Sequence, residues 1–213
     1  ADPRTYVFLV LFMLDVGAGT ISYFIPTITK TLGYSSVTAQ YMTVPIYAVA
    51  ALCLNMLAYS ADRNNERRWH ICGALAVGFA AAVVCAASQQ PVVRYVMVCF
   101  VAAGIWSALP LILTWTSTTI SLPAEKRAIV LAMVNAFGNF SSVYGSRIWP
   151  TWDSPKYTVG FAVTAGFLGA AMILAFFLPW YVKWVPRKGT KAERELEERK
   201  RLVRERAEDQ LSA

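Results

Sequence analysis

The sequence predicts an all-α membrane protein with six transmembrane helices, and three observations carry that expectation. Of the 213 residues, 56% are apolar and only 15% charged, far from the balance of an average soluble domain. Six apolar stretches recur, at residues 6–25, 44–61, 69–87, 95–116, 128–146 and 158–182. Each has roughly the 17–25 residues that a helix rising about 1.5 Å per residue needs to cross a hydrocarbon core of about 30 Å. Lysine and arginine then sort by side. With the chain starting inside, the cytoplasmic segments hold Arg4, then Arg63, Arg67 and Arg68, then Lys126 and Arg127, then ten more from Lys183 to Arg206; the other side holds Lys30, Arg94, Arg147 and Lys156. Both ends of the segment are therefore expected in the cytoplasm. The net charge of +7 follows from this sorting, with no basic face on a soluble module, so the bilayer and not nucleic acid is the expected partner.

Span one contains "LFMLDVGAGTISYF", in which Asp15 is the tenth residue of the stretch, about 15 Å from its start and near the midplane. A carboxylate there costs about 2.5–3.5 kcal/mol even on a lenient insertion scale. The span is too long and too polar for a cleaved signal peptide and has no small-residue cleavage site. The chain begins Ala-Asp-Pro-Arg and enters this span almost at once, so the upstream part of a longer protein is expected to be missing. Polar stripes at helical spacing run through four spans: Asp15, Gly19, Ser22 and Pro26; Asn55, Tyr59 and Asp62; Gly104, Ser107, Thr114 and Ser117; and Asn135, Asn139, Ser142 and Ser146. Since lipid offers no hydrogen-bond partners, these stripes should face protein or a water-filled cavity. Spans three and six are almost free of hydrogen-bonding side chains and suit lipid-facing positions. Their small residues recur every fourth position, as Ala74, Gly78, Ala82 and Ala86, and as Ala162, Gly166 and Ala170, which lets neighbouring backbones approach. The order polar, polar, plain occurs twice; two three-span units entering from opposite sides make a 3+3 inverted repeat.

Residues 1–185 are thus expected to form the bundle and residues 186–213 a charged cytoplasmic tail helix, in which Glu195 with Arg199 and Glu197 with Arg201 are i to i+4 pairs. Cys53, Cys72, Cys85 and Cys99 lie within spans and form no Cys-x-x-Cys pair, and His70 is the single histidine, so neither a metal site nor a cofactor is expected. "DVGAGT" invites comparison with an aspartic-protease loop, but that chemistry needs a second carboxylate sharing the proton, and no other mid-span acid exists. No nucleophile elbow, zinc-binding helix or phosphate-binding glycine loop is present; an enzyme is not expected.

Between spans two and three, "AYSADRNNERRW" places Asp62 at one helix end and Arg67 and Arg68 at the start of the next, each at the end its helix dipole disfavours. This loop, with Arg63, resembles the Gly-x-x-x-Asp-Arg-x-x-Arg-Arg loop of the major facilitator superfamily, with Ala58 where the glycine is expected and the arginine pair one residue late. Simple positive-inside topology would account for the same charges. "SYFIPTITKTLGYSSVTAQYMTVPIY", "YVMVCFVAAGIWSALPLILTWTSTTI", "KRAIVLAMVNAFGNFSSVYG" and "DSPKYTVGFAV" are similar, in order, to the span seven to eight region and to spans ten, eleven and twelve of the fungal anion:cation symporter family, the allantoate and nicotinate permease-like transporters.

The resemblance implies half of a major facilitator fold, the C-terminal six helices of a twelve-helix permease whose N-terminal half is absent, and proton-coupled uptake of a small organic anion; the plasma membrane is expected rather than an organelle. Asn135, Asn139, Asn55 and Thr114 would supply hydrogen-bonding groups to a substrate cavity, and Tyr47 and Trp115 an aromatic wall; helix packing and interfacial anchoring are the alternative roles. Arg147 would greet an anion at the outer mouth, or pair with Asp153 in its loop. Asp15 would be the proton-coupling group, because an enclosed carboxyl holds its proton and a hydrated one releases it; the alternative is a protonated acid bonded between helices. The rival function is a non-transporting six-span remnant, sensor or scaffold that acts through its tail.

Overall fold

The computed structural model describes residues 3–31, 33, 35–120, 123–154 and 156–185, together with Glu195, Glu198, Arg199 and Arg201; apart from those four residues, the expected tail helix lies outside the described part. The helices are α1 (Pro3–Gly19), α2 (Ile25–Thr31), α3 (Ser36–Tyr41), α4 (Thr43–Arg63), α5 (Arg68–Ala87), α6 (Pro91–Thr119), α7 (Ala124–Gly145) and α8 (Thr158–Trp184). Six segments, from Pro3–Tyr23 to Thr158–Trp184, are long and apolar enough to cross a bilayer. The chain is an integral membrane protein. Local chemistry sets several helix ends. Span one leaves α-helical geometry after Gly19, earlier than the apolar stretch ends, and tightens into a 3-10 turn over Thr20–Tyr23. Pro26 lacks the N–H that would continue the ladder to Ser22, and the Thr20 hydroxyl donates to the Gly17 carbonyl at 2.7 Å. Pro91 opens α6, where its missing N–H costs nothing. The Asp153 carboxylate accepts from the Val159 amide at 2.7 Å at the start of α8.

Packing shows the repeat directly. Helix α1 packs on α6, α7 and α8, α6 also on α4 and α5, and α5 on α8. Exchanging α1, α4 and α5 for α6, α7 and α8 maps this set of pairs onto itself. Side-chain contacts give the directions. Phe12 meets Gly138 and Thr20 meets Gly145, so α1 and α7 run parallel. The Tyr95 hydroxyl donates to the Met42 carbonyl at 2.8 Å, and Tyr47 meets Trp106 edge-on at 5.4 Å further along, so α4 and α6 run parallel as well. Phe8 meets Trp115 at 5.7 Å while Gly19 faces Ile105; α1 and α6, the equivalent helices of the two units, are antiparallel. The expected 3+3 inverted repeat is what the fold contains, and it is consistent with half of a major facilitator fold.

The four spans with polar stripes form a row, α4–α6–α1–α7, and the two plain spans, α5 and α8, pack together behind it. Arg4 ties the two ends of the bundle's chain, its Nη2 donating to the Val185 carbonyl at 2.6 Å. At the opposite end Arg94, 3% exposed, donates from Nε to the Cys85 carbonyl at 3.3 Å and from Nη2 to the Lys156 carbonyl, with Phe161 beneath its guanidinium.

Small residues matter where α5 crosses α6. A Cβ on Gly104 would lie 2.7 Å from the Ala74 carbonyl oxygen and 2.8 Å from the Gly78 Cα, so the Ala74–Gly78 stripe does admit a close backbone. The Ala162, Gly166 and Ala170 stripe of α8 does not. Ala162, Gly166 and Ala170 are exposed, and nothing stands within 4 Å of a Cβ on Gly166. The buried face of α8 is instead the one with Phe161, Ala165, Leu168, Ala171 and Ala175, which combines small residues with the fully buried Phe161 and Leu168 that fill the core. Gly104→Ala is therefore expected to destabilise the bundle by about 1–3 kcal/mol. Gly166→Ala should leave stability unchanged or raise it, by up to about 1 kcal/mol. Thermal unfolding of the purified full-length protein and its two variants in one detergent checks both signs.

Candidate functional site

Asp15 lies in the interface between the two repeats. It shares a face of α1 with Phe8 and Gly19, both of which touch α6, and the antiparallel register sets it against the Ala108–Ile112 stretch of α6. It is 0% exposed, and neither carboxyl oxygen has a hydrogen-bond partner among the described residues. An isolated carboxylate in such surroundings costs several kcal/mol or more. The fully buried Ser107 hydroxyl on α6 is unpartnered too; its place in the polar stripe of span four marked it as polar, but nothing in the spacing marked it as unsatisfied.

The other polar candidates stand on the exposed sides of the row. Helices α4 and α7 are the least buried of the six and do not pack on each other, leaving α6 and α1 between them. Asn135 and Asn139 are exposed on α7 and bonded together, the Asn139 amide donating to the Asn135 Oδ1 at 2.8 Å and to its carbonyl at 2.9 Å. Asn55 is exposed on α4 and donates to the Ala51 carbonyl at 2.8 Å. Tyr47 is 39% exposed with its ring edge-on to Trp106. Thr114 donates to the Pro110 carbonyl at 2.7 Å, within a helix that continues through Pro110. Trp115 packs edge-on against Phe8 in the α1–α6 interface, apart from Tyr47. The structure thus places the asparagines and the tyrosine on two separate helices flanking a central pair, and Trp115 with the core.

At the basic end the loop charges divide. Arg67 pairs with Asp62 at 3.5 Å and reaches the Thr118 hydroxyl at the end of α6 at 3.4 Å. This one side chain links the α4–α5 loop to a third helix and offsets the unfavourable dipole ends. Arg63 donates to the Tyr59 hydroxyl at 3.3 Å, and the His70 Nε2 is 2.9 Å from the Ser60 hydroxyl, joining α5 to α4. Arg68, expected with the same cluster, points the other way and lies over Trp69, Phe176 and Trp180. The aromatic spacing of Phe176 and Trp180 near a loop arginine was the available sequence signal. Arg147 is exposed and makes no ion pair with a described residue; Asp153, its expected partner, caps α8 instead, because the free α8 amides donate to a carboxylate at fixed geometry. Among the described residues no cluster of His, Cys, Asp or Glu could hold a metal.

Residues 7–210 match the family model described as Major Facilitator Superfamily. The chain is 29% identical to an uncharacterised transporter of Schizosaccharomyces pombe over 85% of its own length and 37% of the relative's. It is 30% identical to the high-affinity nicotinic acid transporter of Saccharomyces cerevisiae over 78% of its length and 31% of that protein's. It is 29% identical to a putative tartrate transporter of Agrobacterium vitis over 84% of its length and 40% of that protein's. The chain spans well under half the length of these relatives. For the loop contact, a double-mutant cycle of Asp62→Asn and Arg67→Gln, read by unfolding in detergent, is expected to give a coupling of about 0.2–1 kcal/mol.

Proposed function

The chain belongs to the major facilitator superfamily, a family of transporters and not of enzymes, and from that premise we propose that it is six helices of a permease that moves a small organic anion with protons by alternating access. The observation that carries the proton part is the fully buried, unpartnered Asp15 in the interface between the two inverted repeats. While α1 and α6 stay packed, Asp15 holds its proton. When rocking of the bundle admits water, the carboxyl is hydrated and the proton leaves. Loading on one side and release on the other couple the gradient to the motion.

A carboxylate substrate is the reading that fits the relatives named for nicotinic acid and tartrate, both organic acids. On this chain Tyr47, Asn55, Asn135 and Asn139 would meet the substrate from α4 and α7, with the exposed faces of those helices turned toward a second six-helix bundle. No lysine or arginine occupies the middle of a span, so the principal cation for the anion would come from that second bundle. The Asp62–Arg67–Thr118 link would hold the basic end, on the cytoplasmic side by the positive-inside rule, with the plasma membrane as the proposed location.

Two measurements on the full-length protein test this reading. Uptake of labelled nicotinate or tartrate into cells expressing it is expected to rise with external acidity and to fall to background when a protonophore dissipates the gradient. Asp15→Asn, with the protein still at the membrane, is expected to flatten the dependence of uptake on pH; an unchanged profile would remove Asp15 from the coupling step.

A further inference from the structure

Behind the row, at the basic end, α5 and α8 build a cage that the proposed transport path does not touch. The Arg68 Cζ lies 4.7 Å from the ring centroid of Trp69, 4.5 Å from Phe176 and 4.7 Å from Trp180. Phe176 in turn meets Trp69 at 5.9 Å and Trp180 at 5.4 Å, which holds the rings in place. Ring stacking covers the faces of a guanidinium and leaves its in-plane N–H groups to donate. Those donors are unspent here. The Nε is shielded from solvent without a hydrogen-bond partner, and Arg68 makes no hydrogen bond or ion pair with a described residue.

Beside the cage runs an open groove of about 450 Å³ between α5 and α8, floored by Gly73 and Ala76 and walled by Met172, Ile173 and Phe177. Nothing stands within 4 Å of a Cβ on Gly73, so the trough is free for the roughly 10 Å of axis that separates Trp69 from Ala76. Its walls are open, with Ile173 and Phe177 each 56% exposed. On the far side of Trp180 a second depression, of about 650 Å³, brings in Lys183. A caged cation with free donors therefore sits at the mouth of an apolar trough on the face of two spans with almost no polar side chains.

We propose that this cage and groove bind one anionic phospholipid, with its phosphate on the N–H edge of Arg68, its net negative charge toward Lys183 and one acyl chain in the Gly73–Ala76 trough. A soluble anion would satisfy Arg68 and leave the trough empty. A zwitterionic lipid would fill the trough but carries its own cation beside the phosphate. An anionic phospholipid meets both demands and would bridge α5 to α8 where their ends emerge.

The test is lipid retention by the full-length protein, purified in detergent and titrated with phosphatidylserine or with phosphatidylcholine of the same chains, the bound lipid being counted by native mass spectrometry. One phosphatidylserine is expected to be retained at about fivefold or more lower concentration than phosphatidylcholine, fivefold being the change expected of a single basic side chain meeting an anionic headgroup. The double variant Arg68→Gln, Lys183→Gln should abolish that preference, and Gly73→Leu, which fills the trough and leaves Arg68 intact, should weaken retention of both lipids. Equal retention of the two lipids by the unaltered protein would overturn the proposal without any variant having to fold. So would a preference that survives in the double variant. Displacement of phosphatidylserine by inorganic phosphate alone would assign the cage to a free anion and overturn the lipid.

Discussion

Lipid cannot hydrogen-bond, and the arrangement of this bundle depends on that constraint. Several of its buried polar side chains answer locally. The hydroxyls of Thr20, Thr116 and Thr164 each donate to a carbonyl three or four residues back on their own helix, which removes the need for a partner and leaves the helix free to pack by apolar surface. The cations at the two ends do the opposite: Arg4 and Arg94 donate to carbonyls far away in sequence and stitch helix ends together. Asp15 follows neither pattern: neither of its carboxyl oxygens has a hydrogen-bond partner among the described residues, near or far.

Its position gives that exception consequence. The two inverted three-helix units interlock: α1 and α6 pack on each other, each also packs on two further helices of the opposite unit, and α5 packs on α8. In the α1–α6 contact Phe8 meets Trp115 and Gly19 meets Ile105, and Asp15 lies between these two contacts along α1. The energy of a buried carboxyl there depends on whether water reaches that contact.

The back of the bundle works by different chemistry. Helices α5 and α8 have little to hydrogen-bond, so they are held by close backbone approach at Gly78 and Gly104, by Phe161 and Leu168 in the core, and by aromatic rings around Arg68 at one end. Two arginines adjacent in sequence, Arg67 and Arg68, consequently serve opposite sides of the protein, one closing the α4–α5 loop on α6 and the other facing the bilayer.

Six spans, their alternation and the inverted repeat were legible in the residues, because apolar length, basic loops and the twofold order of polar and plain spans are local properties that a membrane converts directly into topology. The stripes also marked which four helices form the row. Which residues meet within it was not legible. Equal helical spacing on α5 and α8 gave a close backbone crossing in one case and an exposed stripe in the other, because the choice rests on what the opposing helix presents. Asp153 was as well placed in sequence to meet Arg147 as to cap α8, and the fixed geometry of the free helix amides decided it. The sequence by itself determined that Asp15 would lie deep in a span; only the tertiary structure decided that it would lie unpartnered against α6, since a partner is a property of the facing surface and not of the helix that carries the charge.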